Sequence, residues 1–277
     1  QKKHIGKIIK PYNKLRNLII NILPYNLTSG QNTVINEIDN DLASEDKMLR
    51  LLQGDVGSGK TIVAFLTLIS TVEAGFQGAF MAPTEILARQ HFEFLKPIAS
   101  EIGISVDIIT GKDTKSQRAL ILEKLETGAT NLLIGTHALF QNEVKFKNLG
   151  YAVIDEQHKF GVNQRLALGD KGAGTNILIM TATPIPRTLT MIGYGDLDIS
   201  YLTSKLPGRV PIKTKAISSE RIEEVIEGIS RAIKKGARAY WICPLIEDNE
   251  ENALVATEER FQHLESIFAG RVGWVHG

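Results

Sequence analysis

An open, doubly wound α/β sheet of parallel strands is the fold class this sequence predicts, on three observations. From Met48 onward, short runs rich in Val, Ile and Leu alternate with longer amphipathic stretches. The runs are apolar on both faces, as strands are when helices cover both sides of a sheet. A glycine-rich turn, Gly54–Thr61, stands between the first run and the first helix after it, and strand–helix–strand alternation of this kind builds a parallel sheet by right-handed crossovers.

In chain order, residues 1–24 read as a basic approach followed by PYNKLRNLIINILP, a connecting helix in which Leu15, Leu18, Ile19, Ile22 and Leu23 share one face and Pro24 ends the stripe. Thr28-Ser29-Gly30-Gln31 then opens a second helix through Leu42. The expected strands are MLRLLQ, GAFMAP, SVDIIT, NLLIGT, YAVID and NILIMTAT. The helices between them are TIVAFLTLISTVEAG, EILARQHFEFLKPIASEIG and KSQRALILEKLETG, the last two stopping at glycine. TSKLPGRVP, around residues 200–211, reads as a linker. Beyond it the alternation restarts as IKTKAI (strand), SSERIEEVIEGISRAIKKG (helix), ARAYWICPLI (strand), EERFQHLESIFAG (helix) and RVGWVHG (strand). The expected division is 1–24, a connecting helix; 25–205, a first lobe; and 206–277, part of a second lobe, truncated.

Composition bounds the function. With 43% hydrophobic and 23% charged residues, the 277-residue chain has a core and is no disordered tail. Thirty-two Lys and Arg against 31 Asp and Glu leave a net charge of +1, which excludes a polycation and confines any nucleic-acid binding to a local face. The single cysteine, Cys243, excludes an internal disulfide or a multi-cysteine zinc site and fits a reducing compartment. No apolar run reaches the ~18 residues of a membrane helix.

The chemistry concentrates in two places. Gly54-Asp55-Val56-Gly57-Ser58-Gly59-Lys60-Thr61 fits G-x-x-x-x-G-K-[ST] in its required setting between a strand and a helix. Glycines let successive N–H groups converge on phosphate oxygens, and the helix N-terminus adds positive potential. Lys60 is expected to neutralise the β/γ-phosphates of ATP and the Thr61 hydroxyl to ligate Mg²⁺. The second place is Asp155-Glu156-Gln157-His158 at the end of YAVID. Asp155 is expected to hold Mg²⁺ and Glu156 to orient or deprotonate the attacking water. His158, two residues on, is within reach of the γ-phosphate or of Thr181 and Thr183. Those hydroxyls, in Thr181-Ala182-Thr183-Pro184, suit hydrogen-bonded coupling or a turn begun by proline. Cys243 and Trp241 read as core, and His91 and His263 carry no assigned function.

Taken in order, GDVGSGKT, MAPTEILARQH, IGTHAL, IDEQHKFGVNQR and TATPIPRTLTM resemble the superfamily 2 helicases, and more narrowly the RecG family of bacterial branch-migrating DNA helicases. The resemblance runs from about Leu23 to the C-terminus. The transcription-repair coupling factors share TATPIPRTL but usually lack DEQH. Lys205, Arg89 and Lys159 depart from the pattern, and none touches the nucleotide site. The resemblance implies RecA-like lobes, with Gln31 reading adenine and Tyr25 a stacking partner; Gln31 in a capping box with Thr28 is the competing account. It also implies DNA-backbone contacts at Thr84, Glu85, Thr110, Gly111, Thr136 and His137, which as strand-to-helix turns could instead be ordinary caps. Arg187 would couple nucleotide state to DNA or pair with an acid.

The expected function is therefore that of an ATP- and Mg²⁺-dependent DNA helicase, a monomer in the bacterial cytoplasm at the nucleoid. It would act on branched double-stranded DNA (stalled forks, Holliday junctions) in recombination and repair. A P-loop switch, or a translocase of the coupling-factor type, is the alternative. The family's γ-phosphate arginines would follow Gly277, so the chain alone is expected to bind ATP and hydrolyse it barely above background.

Overall fold

A computed structural model describes residues 5–155, 174–183, 197–203, 212–243 and 250–274. Its contacts divide the chain into a unit of residues 1–209 and a unit of residues 210–277.

The first unit is a seven-stranded sheet in the order β3-β4-β2-β5-β6-β1-β7. Its strands are β1 (Leu49–Gly54), β2 (Gln77–Met81), β3 (Val106–Ile109), β4 (Leu132–Gly135), β5 (Leu149–Asp155), β6 (Asn176–Thr181) and β7 (Asp198–Leu202). Every pairing is parallel. Among the described residues five helices connect or precede the strands: α1 (Lys14–Ile22), α2 (Ser29–Leu42), α3 (Lys60–Glu73), α4 (Glu85–Glu101) and α5 (Lys115–Thr127). The expected doubly wound sheet is thus present, and six of its strands fall where the apolar runs place them. β7 is the one that the runs do not announce.

The strand pattern explains the two layers. In β5, Tyr151 and Val153 join one apolar cluster with α1 to α4, while Ala152 and Ile154 join another with Leu125 of α5. Leu51 and Leu52 of β1 divide between the clusters in the same way. Alternating side chains on a strand buried on both faces need apolar residues at every position, and β2, β4, β5 and β6 are buried throughout.

α1 is part of this unit, packed on α3 and α4. Its Arg16 guanidinium is buried and grips Asp39 of α2 through Nη1 (2.5 Å) and Nη2 (2.6 Å), with Nε donating to Leu66 O of α3. A buried pair of this kind has its desolvation offset only when its hydrogen bonds are satisfied, and here one side chain ties three helices. Beneath it the Tyr151 hydroxyl meets Thr67 Oγ1 at 3.2 Å. Burial, opposed in part by the Thr67 hydrogen bond, pushes the Tyr151 phenol well above its ordinary value. A raised folded-state pKa means stability is intact below the unfolded value of ~10 and falls as pH rises past it. Tyr151→Phe is therefore expected to cost at most ~1 kcal/mol at neutral pH, because Thr67 keeps the carbonyls of Val63 and Ala64. It should also flatten the loss of urea stability between pH 9 and 11. An unaltered alkaline slope would contradict the assignment.

Among the described residues the second unit holds two helices, α6 (Ile222–Lys234) and α7 (Glu250–Phe268), with a 3-10 turn at Ser219–Arg221 before α6. The helices expected there form. The strands expected at IKTKAI, ARAYWICPLI and RVGWVHG do not, among their described residues. A strand is a set of unsatisfied N–H and C=O groups until another pairs with it, and residues 212–217 and 237–240 are exposed along their length, Tyr240 to 91%. Cys243 and Trp241, expected in a core, are half-buried, and Trp241 lies under the Arg260 guanidinium at 5.2 Å. No helix of the described residues is long and apolar enough to cross a membrane.

Candidate nucleotide site and adjoining rim

The site occupies the carboxyl rim of β5, β6 and β1, three adjacent strands. Asp155 closes β5, Thr181 closes β6, and the Gly54–Thr61 loop leaves β1 and enters α3. The loop turns where its glycines permit: φ is 77° at Gly57 and 89° at Gly59, the left-handed region that costs other residues most. At Gly59 a second constraint applies. An added Cβ would stand 2.2 Å from Gln31 Nε2.

Gln31 explains that crowding. Its Oε1 accepts from Thr28 N (2.9 Å) and its own N–H donates to Thr28 Oγ1, so the capping box is formed; its Nε2 donates to Ser58 O of the loop at 3.0 Å. The side chain is buried and tied at both ends of its amide. Tyr25 is about half-exposed nearby in sequence.

Lys60 turns back over the loop, its Nζ donating to Gly54 O (2.7 Å) and Asp55 O (3.2 Å). Carbonyls thus hold the ammonium at the mouth of the loop. Gly59 caps α3 without a side-chain acceptor, so the first-turn N–H groups and the helix dipole face the loop, the arrangement that takes a phosphate. Thr61 lies in that first turn. Alongside, a cleft of about 270 Å³ is lined by Gly54, Asp55, Ala182, Tyr201 and Thr203; the last two belong to β7 and its end, to which the sequence motifs give no role.

Asp155 is nearly buried and accepts from His91 of α4, Nε2 to Oδ2, at 3.0 Å. The two lie far apart in sequence, and no local pattern connects them. The carboxylate and the Thr61 hydroxyl are hard oxygen donors suited to Mg²⁺, too few for a cage of their own, as expected of a cation that arrives with nucleotide phosphates. Thr181 and Thr183 form the expected hydroxyl pair, Oγ1 to Oγ1 at 2.9 Å, with Thr183 N donating to Thr181 Oγ1 at 3.1 Å. Glu156, His158 and Arg187 lie outside the described residues.

The other half of the same rim is β2, β4 and β3. Here the three turns singled out for DNA come side by side: Pro83-Thr84-Glu85 after β2, Gly135-Thr136-His137 after β4, and Thr110-Gly111 after β3. Two of their hydroxyls have structural employment. Thr84 Oγ1 caps α4 by accepting from Leu87 N, and Thr110 lies in a turn closed by Asp113. Thr136 precedes the 3-10 turn His137–Phe140 without a side-chain cap bond, and His137 is exposed. Glu85 pairs with Arg89 one turn on and, at 3.7 Å, with Lys112 of the β3 turn. Arg89, a departure from the family pattern, therefore has a partner within its own helix.

A P-loop and a strand-end aspartate on one sheet define a nucleotide-binding RecA-like lobe, and residues 28–192 match the DEAD/DEAH box helicase family, to which the chain belongs. It is similar to the ATP-dependent DNA helicase RecG of Staphylococcus epidermidis, 47% identical over 267 residues that cover 96% of this chain and 39% of that protein. The RecG of Aquifex aeolicus is 46% identical over 92% of this chain and 33% of its own length. Among solved structures, that of RecG bound to a three-way DNA junction superposes with a TM-score of 0.81 at 40% identity, covering 95% of this chain and 34% of that one. The chain thus spans 33% to 39% of the length of these relatives.

Proposed function

We propose that the chain is part of an ATP-driven DNA motor acting on branched double-stranded DNA, forks and Holliday junctions, in recombination and repair. It would do so as a monomer in the bacterial cytoplasm at the nucleoid. One observation carries the reading: the glycine loop and the strand-end Asp155 share one half of the sheet's carboxyl rim, and the polar turns at Thr84, Thr136 and Thr110 share the other. The similar proteins are ATP-dependent DNA helicases, and the superposed RecG is bound to a three-way DNA junction, which supports the same reading.

In this reading the loop N–H groups and Lys60 bind the β- and γ-phosphates, with Lys60 exchanging its carbonyl partners for phosphate oxygens. Thr61 and Asp155 would hold Mg²⁺, which supplies charge neutralisation when bound. Glu156 accepts the proton of the attacking water, and His158 lies close enough in sequence to touch the γ-phosphate. Gln31 contacts adenine by giving up its bond to Ser58 O, so that base occupancy is reported to the loop. Thr181, Thr183 and Arg187 pass the nucleotide state onward. Thr84, Glu85, Thr110, Gly111, Thr136 and His137 lie along the DNA backbone, chiefly through main-chain N–H groups where the hydroxyl is already in use.

The test is ATPase activity of the intact protein with fork or Holliday-junction DNA against linear duplex of equal length. Stimulation by junctions supports the reading. Equal stimulation by linear duplex would favour a translocase of the coupling-factor type, and none at all a nucleotide switch. A contact surface made of turns on a chain of net charge +1 should also bind without sequence preference and with log K falling by about 0.9 per neutralised phosphate for each unit of log salt. An affinity that stays flat between 50 and 200 mM salt would contradict it.

A further inference from the structure

His91 is a titratable group at the nucleotide site that the motor reading does not use. It stands two turns into α4, and its Nε2 is 3.0 Å from Asp155 Oδ2. An ionised carboxylate only accepts, so Nε2 carries the hydrogen. The imidazole has little freedom to leave. Its ring centroid is 4.6 Å from that of Phe80, tilted by 49°, and Phe80 is fully buried in β2 opposite Val153 of β5. Both side chains of the pair are close to nine-tenths buried.

Asp155 has one oxygen occupied by this bond, which fixes the plane of the carboxylate and leaves Oδ1 as the oxygen that His91 does not engage. Without a donor at that point, a terminal carboxylate turns about its last torsion with little resistance. Hydrogen bonds that hold a ligand in place matter to metal affinity by roughly 10–100-fold.

We propose that His91 is a positioning residue: it orients the Asp155 carboxylate for the metal–nucleotide complex while touching neither metal nor nucleotide. The proposal rests on the reading of Asp155 as a metal-holding carboxylate. It also gives α4 functional weight at two points, since Thr84 and Glu85 of the proposed DNA-backbone rim begin the helix that carries His91 two turns on.

The experiment uses the intact protein and Mn²⁺ as probe, its affinity read by electron paramagnetic resonance in the presence of a non-hydrolysable ATP analogue. His91→Phe keeps an aromatic ring against Phe80 and loses the donor. His91→Gln places an amide N–H at the same reach as Nε2. The expected result is a Mn²⁺ affinity about 10–100-fold weaker in His91→Phe, largely recovered in His91→Gln, with unchanged nucleotide affinity in EDTA and unchanged thermal midpoints. His91→Leu repeats the comparison if the phenyl ring is not tolerated. Equal Mn²⁺ affinity in wild type and the donor-less variant overturns the proposal, as does equal loss in the glutamine variant, which would make the role one of shape. A wild-type protein that binds no nucleotide would instead sink the motor reading itself.

Discussion

Glu156→Gln in the intact protein is expected to leave ATP binding in place and to lower steady-state turnover by ~10²–10⁴-fold, the usual cost of removing a general base. The amide has the size of the carboxylate and cannot accept a proton from water. Binding is expected to persist because the groups proposed to hold the phosphates, the loop N–H groups and Lys60, are untouched, and because Asp155 keeps its own partner, His91. Nucleotide affinity by calorimetry and turnover by phosphate release separate the two effects. Undiminished turnover would exclude Glu156 as the base and turn attention to Asp155 or His158.

Lys60→Ala is expected to act on binding itself. The lysine is the one side-chain cation within the Gly54–Thr61 loop, and truncating one partner of a buried charge contact costs ~2–5 kcal/mol, or roughly 30–5,000-fold in affinity. Loss of the ammonium also releases the carbonyls of Gly54 and Asp55, so part of the effect is a loop less well held before nucleotide arrives. Thr61→Ala separates these contributions, since it removes a hydroxyl but leaves the ammonium bridge intact. Equal Mg²⁺–ATP affinity in wild type and Lys60→Ala, measured by calorimetry, would refute the assignment.

The parts legible from sequence were those whose physics is local or periodic. The Gly54–Thr61 loop announces itself because left-handed turns demand glycine at fixed places, and β5 because a doubly covered strand is apolar at every position. The Thr28–Gln31 capping box was legible too, although the sequence could not show that the same glutamine also grips Ser58 O. β7 escaped because an edge strand needs few apolar positions: only Ser200 and Leu202 of Asp198–Leu202 are buried. His91 escaped because its meaning is its distance from Asp155, which only the packing of α4 on the sheet creates, where the imidazole meets Phe80 of β2. The strands expected after residue 211 do not form among their described residues for the converse reason: alternation fits a strand, but a ladder requires a neighbour, and the pattern at IKTKAI cannot say whether one exists.

The order of strands has a consequence for how the molecule comes into being. β1, which carries the glycine loop, does not pair with β2, the next strand in sequence: Leu49 lies against Ile177, and Arg50 against Asp198. Translation at ~5–20 residues per second leaves β1 without either neighbour for roughly 6–25 s after it is made, and parallel pairing across such separations is slow even then. During that interval β2, β4 and β3 can already associate, since they are near one another in the chain. The half of the rim that bears the Thr84, Thr136 and Thr110 turns can thus mature first, and the half that bears the glycine loop last. A nascent chain that has reached only β5 has neither neighbour of β1 with which to anchor the glycine loop.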